Sequence, residues 1–278
     1  MTLKANYHTH LALCGHAEGM TEDYVKVAIE AGYEELGMSD HGPIKPEFMT
    51  KEEFEFNWLQ RQMTYDDFIN AYLPDCKIIQ EKYKSQIKVH IGVEIEYLYP
   101  FHEYFVNLRS KLDYMNLGVH FYYHNNQMIN TFEIVTYENV YSYGLTAQMA
   151  METGLFNILV HPDVFMYNYH SLDGTTKFDS ECERTARLII ESAIKNNVYL
   201  EINVGGIFKV TSNNEVLGKY AYPRDEFWRI VSEYPEAKVI VGVDAHKPQH
   251  LVAEEIKMAY NFAKKHKITV LDKVETIV

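Results

Sequence analysis

Cysteine is nearly missing: Cys14, Cys76 and Cys182 are the only three in 278 residues, widely spaced and odd in number. That excludes a disulfide framework and any paired-cysteine zinc site. No apolar run approaches the ~18 residues a bilayer span needs. The opening residues Met1 to Tyr7 hold no apolar signal core, so the expected location is the cytoplasm. Positive charge is also short. Lys plus Arg total 26 against 39 Asp plus Glu, a formal charge of −13. An acidic chain of this kind is no general nucleic-acid binder and no ligand of anionic membranes. The P-loop, HExxH and G-x-S-x-G patterns are absent. Asp173-Gly174-Thr175 has Ser171 where an aspartyl-phosphate mechanism wants a second Asp.

What is present suffices for a large core: 47% of residues are hydrophobic and 23% charged. Apolar runs alternate with amphipathic stretches. Strands are expected at Leu3 to Tyr7, Leu36 to Ser39, Ile87 to Glu94, 114–119, Ile158 to Val160, Val198 to Asn203 and Val239 to Val243. Helices are expected between them, over Thr21 to Ala31, 65–84 (broken or kinked at Pro74), 101–112, 137–153, 180–196, 224–232 and 250–265. About seven strands separated by helices predict an α/β fold with a parallel sheet, closed as a barrel. One domain over 1–278 is expected, with two insertions. Residues 43–64 carry Pro43, Pro46, Phe48, Phe54, Phe56 and Trp58 and suggest a lid; 165–179 is rich in Tyr and Asp.

Histidine is plentiful, at 13 residues, and its placement is informative. Tyr7-His8-Thr9-His10 follows the first strand, and Asp40-His41 the second. Glu94 ends the third, His120 the fourth, His161-Pro162 the fifth, and Gly242-Val243-Asp244-Ala245-His246 the last. In a parallel barrel these carboxyl ends meet at one mouth, where catalysis occurs. His8 and His10, two apart on a strand, point to one face and can reach one ion. Glu94 at the end of an apolar strand needs a cationic partner, and Glu96 shares its face. Singly, each motif also fits an ordinary surface or core histidine; six strand mouths together do not. All donors are nitrogen or oxygen, which suits Zn, Mn or Fe without choosing among them. Nine ligands are too many for one ion and suit two or three metals with a bridging carboxylate.

The order of these motifs resembles the polymerase-and-histidinol-phosphatase (PHP) family over essentially the whole chain. His8-Thr9-His10 through Cys14-Gly15-His16-Ala17 is similar to the family's first motif, and the later motifs follow in family order. The stand-alone histidinol-phosphate phosphatases are the most similar group. The resemblance implies a distorted (β/α)7 barrel and three metals. His8, His10, Glu94 and Asp244 would hold one ion, His16, His41 and His246 a second, and Glu94, His120 and His161 the third. Asp40 and Asp163 would orient neighbouring imidazoles.

The expected function is hydrolysis of a small phosphomonoester, L-histidinol phosphate first, by in-line attack of a metal-bridging hydroxide. Glu94, Asp244 and His246 are the expected catalytic residues, with Asp244 or a ligand histidine protonating the leaving alkoxide. Three divalent ions against Glu94 and Asp244 reverse the local charge and let an acidic protein take an anion. Lys209, in the loop after the sixth strand, is the expected phosphate contact, with Lys45 and Lys247 as alternatives and His124 facing the substrate. Tyr122, Tyr123, Tyr167 and Tyr169 are candidate walls for a ring, and His170 could reach the mouth. His90 is expected to be packed or on the surface, and His102, His250 and His266 solvated. Two features depart from the histidinol-phosphate pattern: Phe208 stands where a basic residue often follows the Asn203 loop, and no arginine closely follows His161-Pro162. Other readings are a sugar-phosphate or nucleotide phosphatase, an amidohydrolase-type barrel (for which no strand-end lysine is evident) and a non-catalytic metal-binding partner domain.

Overall fold

The computed structural model describes residues 3–57, 59–175, 177–212 and 220–277, the side chains of 210–212 excepted. Trp58 of the first insertion lies outside the described residues. The first strands are β1 (Ala5–Asn6), β2 (Glu35–Met38), β3 (Lys88–Ile91), β4 (Glu94–Ile95), β5 (Asn116–Leu117) and β6 (Phe121–His124). They are followed by β7 (Gln127–Asn130), β8 (Val135–Thr136), β9 (Ile158–Leu159), β10 (Tyr169–His170), β11 (Tyr199–Asn203) and β12 (Val239–Gly242). Strands β1-β2-β3 form one parallel sheet, and β12-β11-β9-β5-β4 a second. The expected α/β class and parallel pairing are therefore present. Among the described residues a closed barrel is not.

The reason is local. The third expected strand is split at Gly92-Val93 into β3 and β4. Gly92 packs on the Tyr114 ring so closely that a Cβ there would collide with it. The Tyr114 hydroxyl donates to the carbonyls of Tyr7 (2.9 Å) and Met38 (3.2 Å), and Asn116 Nδ2 donates to Tyr7 (2.8 Å). Buried side chains thus satisfy backbone groups that a continuous ladder would have paired. Only isolated parallel bridges, Thr9 with Ala245 and His41 with Glu94, link the two sheets.

Helices pack outside the sheets. Ser180–Lys195 starts where Asp179 accepts from the Glu181 and Cys182 amides (3.0 and 3.1 Å) and buries Ala186, Ile189, Ile190 and Ala193. It packs on Val140–Met151. The expected helix over 65–84 changes form at Pro74. The proline sits in the first turn of Leu73–Tyr83, where no N–H is needed, after a π-helical stretch Phe68–Tyr72.

A hairpin and a helix are among the elements that escaped the sequence pattern. Strands β6 and β7 form an antiparallel hairpin whose turn residues, Asn125 and Asn126, both have positive φ (50° and 62°). An Asn-Asn turn between alternating residues was the available signal. The expected loop after β11 is instead the helix Gly205–Ser212, which carries Lys209. The 43–64 insertion contains the helix Lys51–Phe56, capped by Thr50 and Glu53, and is clipped to the hairpin. Asn130 Nδ2 donates to Asn57 Oδ1 at 3.0 Å, and Asn57 Nδ2 contacts Met128 Sδ at 2.7 Å. No described helix is long and apolar enough to cross a membrane.

Candidate metal centre

Asn6 is the local organiser. Its Nδ2 donates to His8 O and Thr9 Oγ1 (3.0 and 2.8 Å), while its Oδ1 accepts from Val243 N (2.8 Å). One buried amide therefore sets the chain after β1 beside the chain after β12. That places His8 and His10 against Asp244. His10 Nε2 lies 3.1 Å from Asp244 Oδ1, and the Nε2 atoms of His8 and His10 are 3.1 Å apart.

Glu94 stands between two groups of imidazoles. Its Oε2 is 3.3 Å from both His8 Nε2 and His10 Nε2 and 3.5 Å from His41 Nδ1. Its Oε1 is 2.9 Å from His161 Nε2 and 3.1 Å from His120 Nε2. His16, His41 and His246 close the outer side: the His16 ring lies 5.2 Å from that of His41 and 5.0 Å from that of His246. All nine expected ligands are thus brought together. Donor atoms of His10, His41 and His246, of His8, His10 and Glu94, and of Glu94, His120 and His161 form three overlapping sets, each within 4.8 Å. A fourth set, His10 with Cys14 and Asp40, brings in a thiol that the sequence pattern did not single out.

The donor chemistry fits cations. Imidazole nitrogens face one another at 3.1 Å (His8, His10) and 3.3 Å (His120, His161), where neutral rings cannot all act as donors. His161 Nδ1 and His10 Nδ1 are buried without hydrogen-bond partners. Lone pairs that converge with a carboxylate make a metal ligand set.

The electrostatics agree. Burial alone would depress His8, but Glu201, Asp244 and Glu94 outweigh it and raise its pKa to about 10. His120 is likewise raised to about 10, burial being overcome by Glu94 and Glu96. Glu94 and Asp244 lie well below the carboxylate range despite burial, because imidazoles face them. Burial and the charge on His10 push His246 down to about 3 and His41 well below its usual value.

Two carboxylates hydrogen-bond ligand rings and a third stands close to one. Asp40 Oδ1 is 3.5 Å from His10 Nδ1, near the ring it was expected to orient but without a hydrogen bond. Glu96, read as a competitor of Glu94, instead lies 2.7 Å from His120 Nδ1. Glu201 was missed. Its Oε1 is 2.8 Å from His8 Nδ1, and its Oε2 accepts from His161 N (3.1 Å) and Asn203 Nδ2 (2.7 Å). The signal was a glutamate inside the apolar run Tyr199 to Asn203. Gly242 leaves room for it, since a Cβ there would overlap the Glu201 carboxylate. Replacing Glu201 by Gln should weaken metal affinity by roughly 10–100-fold, as removal of an orienting carboxylate does, with little change in fold. Titration with a chromophoric chelator and circular dichroism check this, and unchanged affinity would deny the role.

His161 (φ 33°) and Asp244 (φ 53°) are ligands in left-handed backbone. Such strain costs on the order of 1–3 kcal/mol and persists where surroundings hold it. Glu201 holds the His161 amide. Around Asp244, Asn203 Nδ2 donates at 3.3 Å, and Gly205 lacks the Cβ that would strike the carboxylate.

Other expectations fare differently. Asp163 holds no imidazole: its Oδ2 accepts from Arg224 N (2.5 Å) and Trp228 Nε1 (3.1 Å), and burial raises its pKa to about 6. His124 does not line the cleft. It bonds Ser142 (2.9 Å) and Asn125 (3.0 Å) on the hairpin. Lys45 lies over the Tyr65 and Tyr104 rings and Lys247 pairs with Glu18, both away from the cleft. His170 and the four expected tyrosines do not line the cleft either. His90 is packed, 2.9 Å from Glu35. The remaining helical histidines are bonded rather than solvated: His102 to Tyr97, His266 to Asp225, and His250 to the His246 amide.

Lys209 does reach the cleft. Its ammonium lies 4.7 Å from the centre of the Phe132 ring and 5.2 Å from those of Tyr167 and Tyr222. Its surroundings desolvate it and lower its pKa, against the pull of Asp244 and Glu94. The cleft measures about 390 Å³.

Comparison with known proteins gives the family and the fold. Residues 6–205 match the model of the PHP domain. A Schizosaccharomyces pombe protein named "Probable histidinol-phosphatase" is 25% identical over 96% of this chain and 88% of its own length. One of the same name from Deinococcus radiodurans is 23% identical over 89% of this chain and 88% of its own. The fold is similar to that of a Lactococcus lactis histidinol phosphate phosphatase crystallised with zinc, L-histidinol and phosphate (TM-score 0.68, 17% identity, 98% and 96% of the two chains covered). The family match stops before Asp244 and His246, which the fold returns to the same cluster. The chain belongs to the PHP domain family.

Proposed function

We propose that this chain is a metal-dependent phosphomonoester hydrolase acting on L-histidinol phosphate. The observation that carries this is Glu94, whose two oxygens each face a different imidazole group. The names of the relatives and the contents of the Lactococcus structure support the substrate. Two or three divalent ions would be held as follows: one by His8, His10, Glu94 and Asp244, one by His16, His41 and His246, and one by Glu94, His120 and His161. Zinc is favoured over manganese or iron by the Lactococcus enzyme. Bound there, such ions neutralise phosphoryl oxygens and lower the pKa of water from 15.7 to about 7.

The chain's own residues do the rest. Glu94 and Asp244 stay ionised among imidazoles and so remain available as ligands. Glu201 and Glu96 hold the His8 and His120 rings, and Asp40 lies beside that of His10. Lys209 meets the phosphate's outer oxygens, and Tyr222 and Phe132 exclude water beside it. Asp244 and His246, the other expected catalytic residues, both stand in the cluster, His246 the more open of the two. We take the bridged sheets as one distorted seven-stranded barrel, a single domain over 1–278, working in the cytoplasm.

Metal analysis paired with phosphate release from a substrate panel tests the proposal. L-Histidinol phosphate should be the best substrate; a full metal complement without any hydrolysis would favour a non-catalytic partner domain. Lys209→Gln should raise KM by about tenfold, the value of one charge-assisted hydrogen bond, with metal content unchanged. An unaltered KM would place the phosphate elsewhere.

A further inference from the structure

Three of the carboxylates that line the cleft are engaged: Glu94 with five imidazoles, Asp244 with His8, His10 and His246, and Glu96 with His120. Among the described residues, one other carboxylate lines it. Glu133 sits at the exposed rim, just after the hairpin and next to Phe132. Its backbone is tied down, with its N–H donating to Asn130 O (3.1 Å) and its carbonyl accepting from Asn168 Nδ2. Among the described residues its carboxylate has no cationic partner.

Two neighbouring amides, Asn130 and Asn57, are already engaged. Asn130 Nδ2 is spent on Asn57 Oδ1, and Asn130 Oδ1 accepts from Phe132 N (2.9 Å). Asn57 Nδ2 is occupied by Glu53 O (2.8 Å) and Met128 Sδ. These bonds clip the insertion to the hairpin and hold the segment bearing Glu133 at the cleft wall. The cleft thus holds an anion-binding group, the imidazole cluster with Lys209, and at its exposed rim one carboxylate that, among the described residues, has no cationic partner. A substrate that is anionic at one end only would leave Glu133 facing nothing, or repel it. One with a protonated amine beyond the ester oxygen would be matched at both ends.

We propose that Glu133 is a specificity-determining residue that binds the ammonium of the alcohol leaving group, so that the cleft selects phosphate esters of amino alcohols. This rests on the phosphatase reading above and extends it to a named side chain. The geometry assigns Glu133 no part in the hydrolytic step; it acts through substrate affinity.

The test uses the metal-loaded full chain and two substrates, L-histidinol phosphate and propyl phosphate, which lacks the amine. Glu133→Gln should lower kcat/KM for L-histidinol phosphate ten- to a hundredfold, mainly through KM, as loss of a charge-assisted hydrogen bond does. It should leave propyl phosphate within about twofold. Glu133→Lys should widen the gap by repulsion. If Glu133→Gln changes both substrates equally, or neither, the inference is overturned while the phosphatase reading stands. If the unaltered enzyme hydrolyses neither ester, the phosphatase reading itself has failed. Unchanged metal content and circular dichroism in both variants separate a binding effect from a folding one.

Discussion

Replacing Glu94 by Gln should strip the protein of metal and of hydrolysis together. The side chain keeps its shape but loses the charge that both imidazole groups face. Removing one partner of a buried ionic set costs about 3–5 kcal/mol, or roughly 10²–10⁴ in affinity. Because both groups share this carboxylate, the loss should be cooperative, with no stage at which one group stays loaded while the other empties. Elemental analysis after gel filtration, run beside phosphate release, reads both quantities. A Gln variant that retains its full metal complement and turnover would remove the basis for the bridging role.

Metal loading should depend steeply on pH. Without metal, His8 and His120 hold their protons up to about pH 10, since carboxylates outweigh the burial that opposes charging them. A cation must displace both protons to reach those nitrogens. Below pH 10 each displaced proton contributes about tenfold in apparent affinity per pH unit. Two of them predict a gain on the order of 10⁴ between pH 6 and pH 8. Competition titrations at several pH values would measure the slope; a flat profile would mean that these rings are neutral before the metal arrives.

The metal-free protein should respond in the opposite sense. A histidine whose pKa is raised in the folded state favours folding most fully below its unfolded pKa of about 6.5. That contribution then fades as pH rises through the folded value near 10. The apo protein's Tm should therefore fall between pH 7 and pH 10 while the loaded protein's holds, a divergence that calorimetry on both forms would register.

The ligand set was legible because its signal is short-range. A His, Asp or Glu directly after an apolar strand reads as a strand-end donor whatever lies between the strands, and Asp244 and His246 lie far along the chain from His8. Residues whose role depends on a partner from another strand were harder. Glu96 and Glu201 both appeared as glutamates in apolar runs, yet which ring each one holds depends on strand register: Leu200 pairs with Val239 and with Leu159, which sets Glu201 under His8 and the His161 amide. Asp163 shows the converse. Its position beside His161 suggested an orienting role, but the chain turns it toward Arg224 and Trp228.

Composition and motif order by themselves pointed to an α/β chain whose strand ends bring eight metal-type donors together, with His16 added by the family resemblance, because strand-end chemistry is written in adjacent residues. Tertiary structure decided what the barrel expectation did not foresee. Buried side chains, Tyr114, Asn116 and Asn6, take up backbone bonds that would otherwise have closed the sheet. Tertiary structure also decided which cation reaches the cleft: Lys209 does, carried inward by a helix where a loop was expected, and Lys45 and Lys247 do not. A side chain's reach depends on packing between elements distant in sequence, which no local pattern encodes.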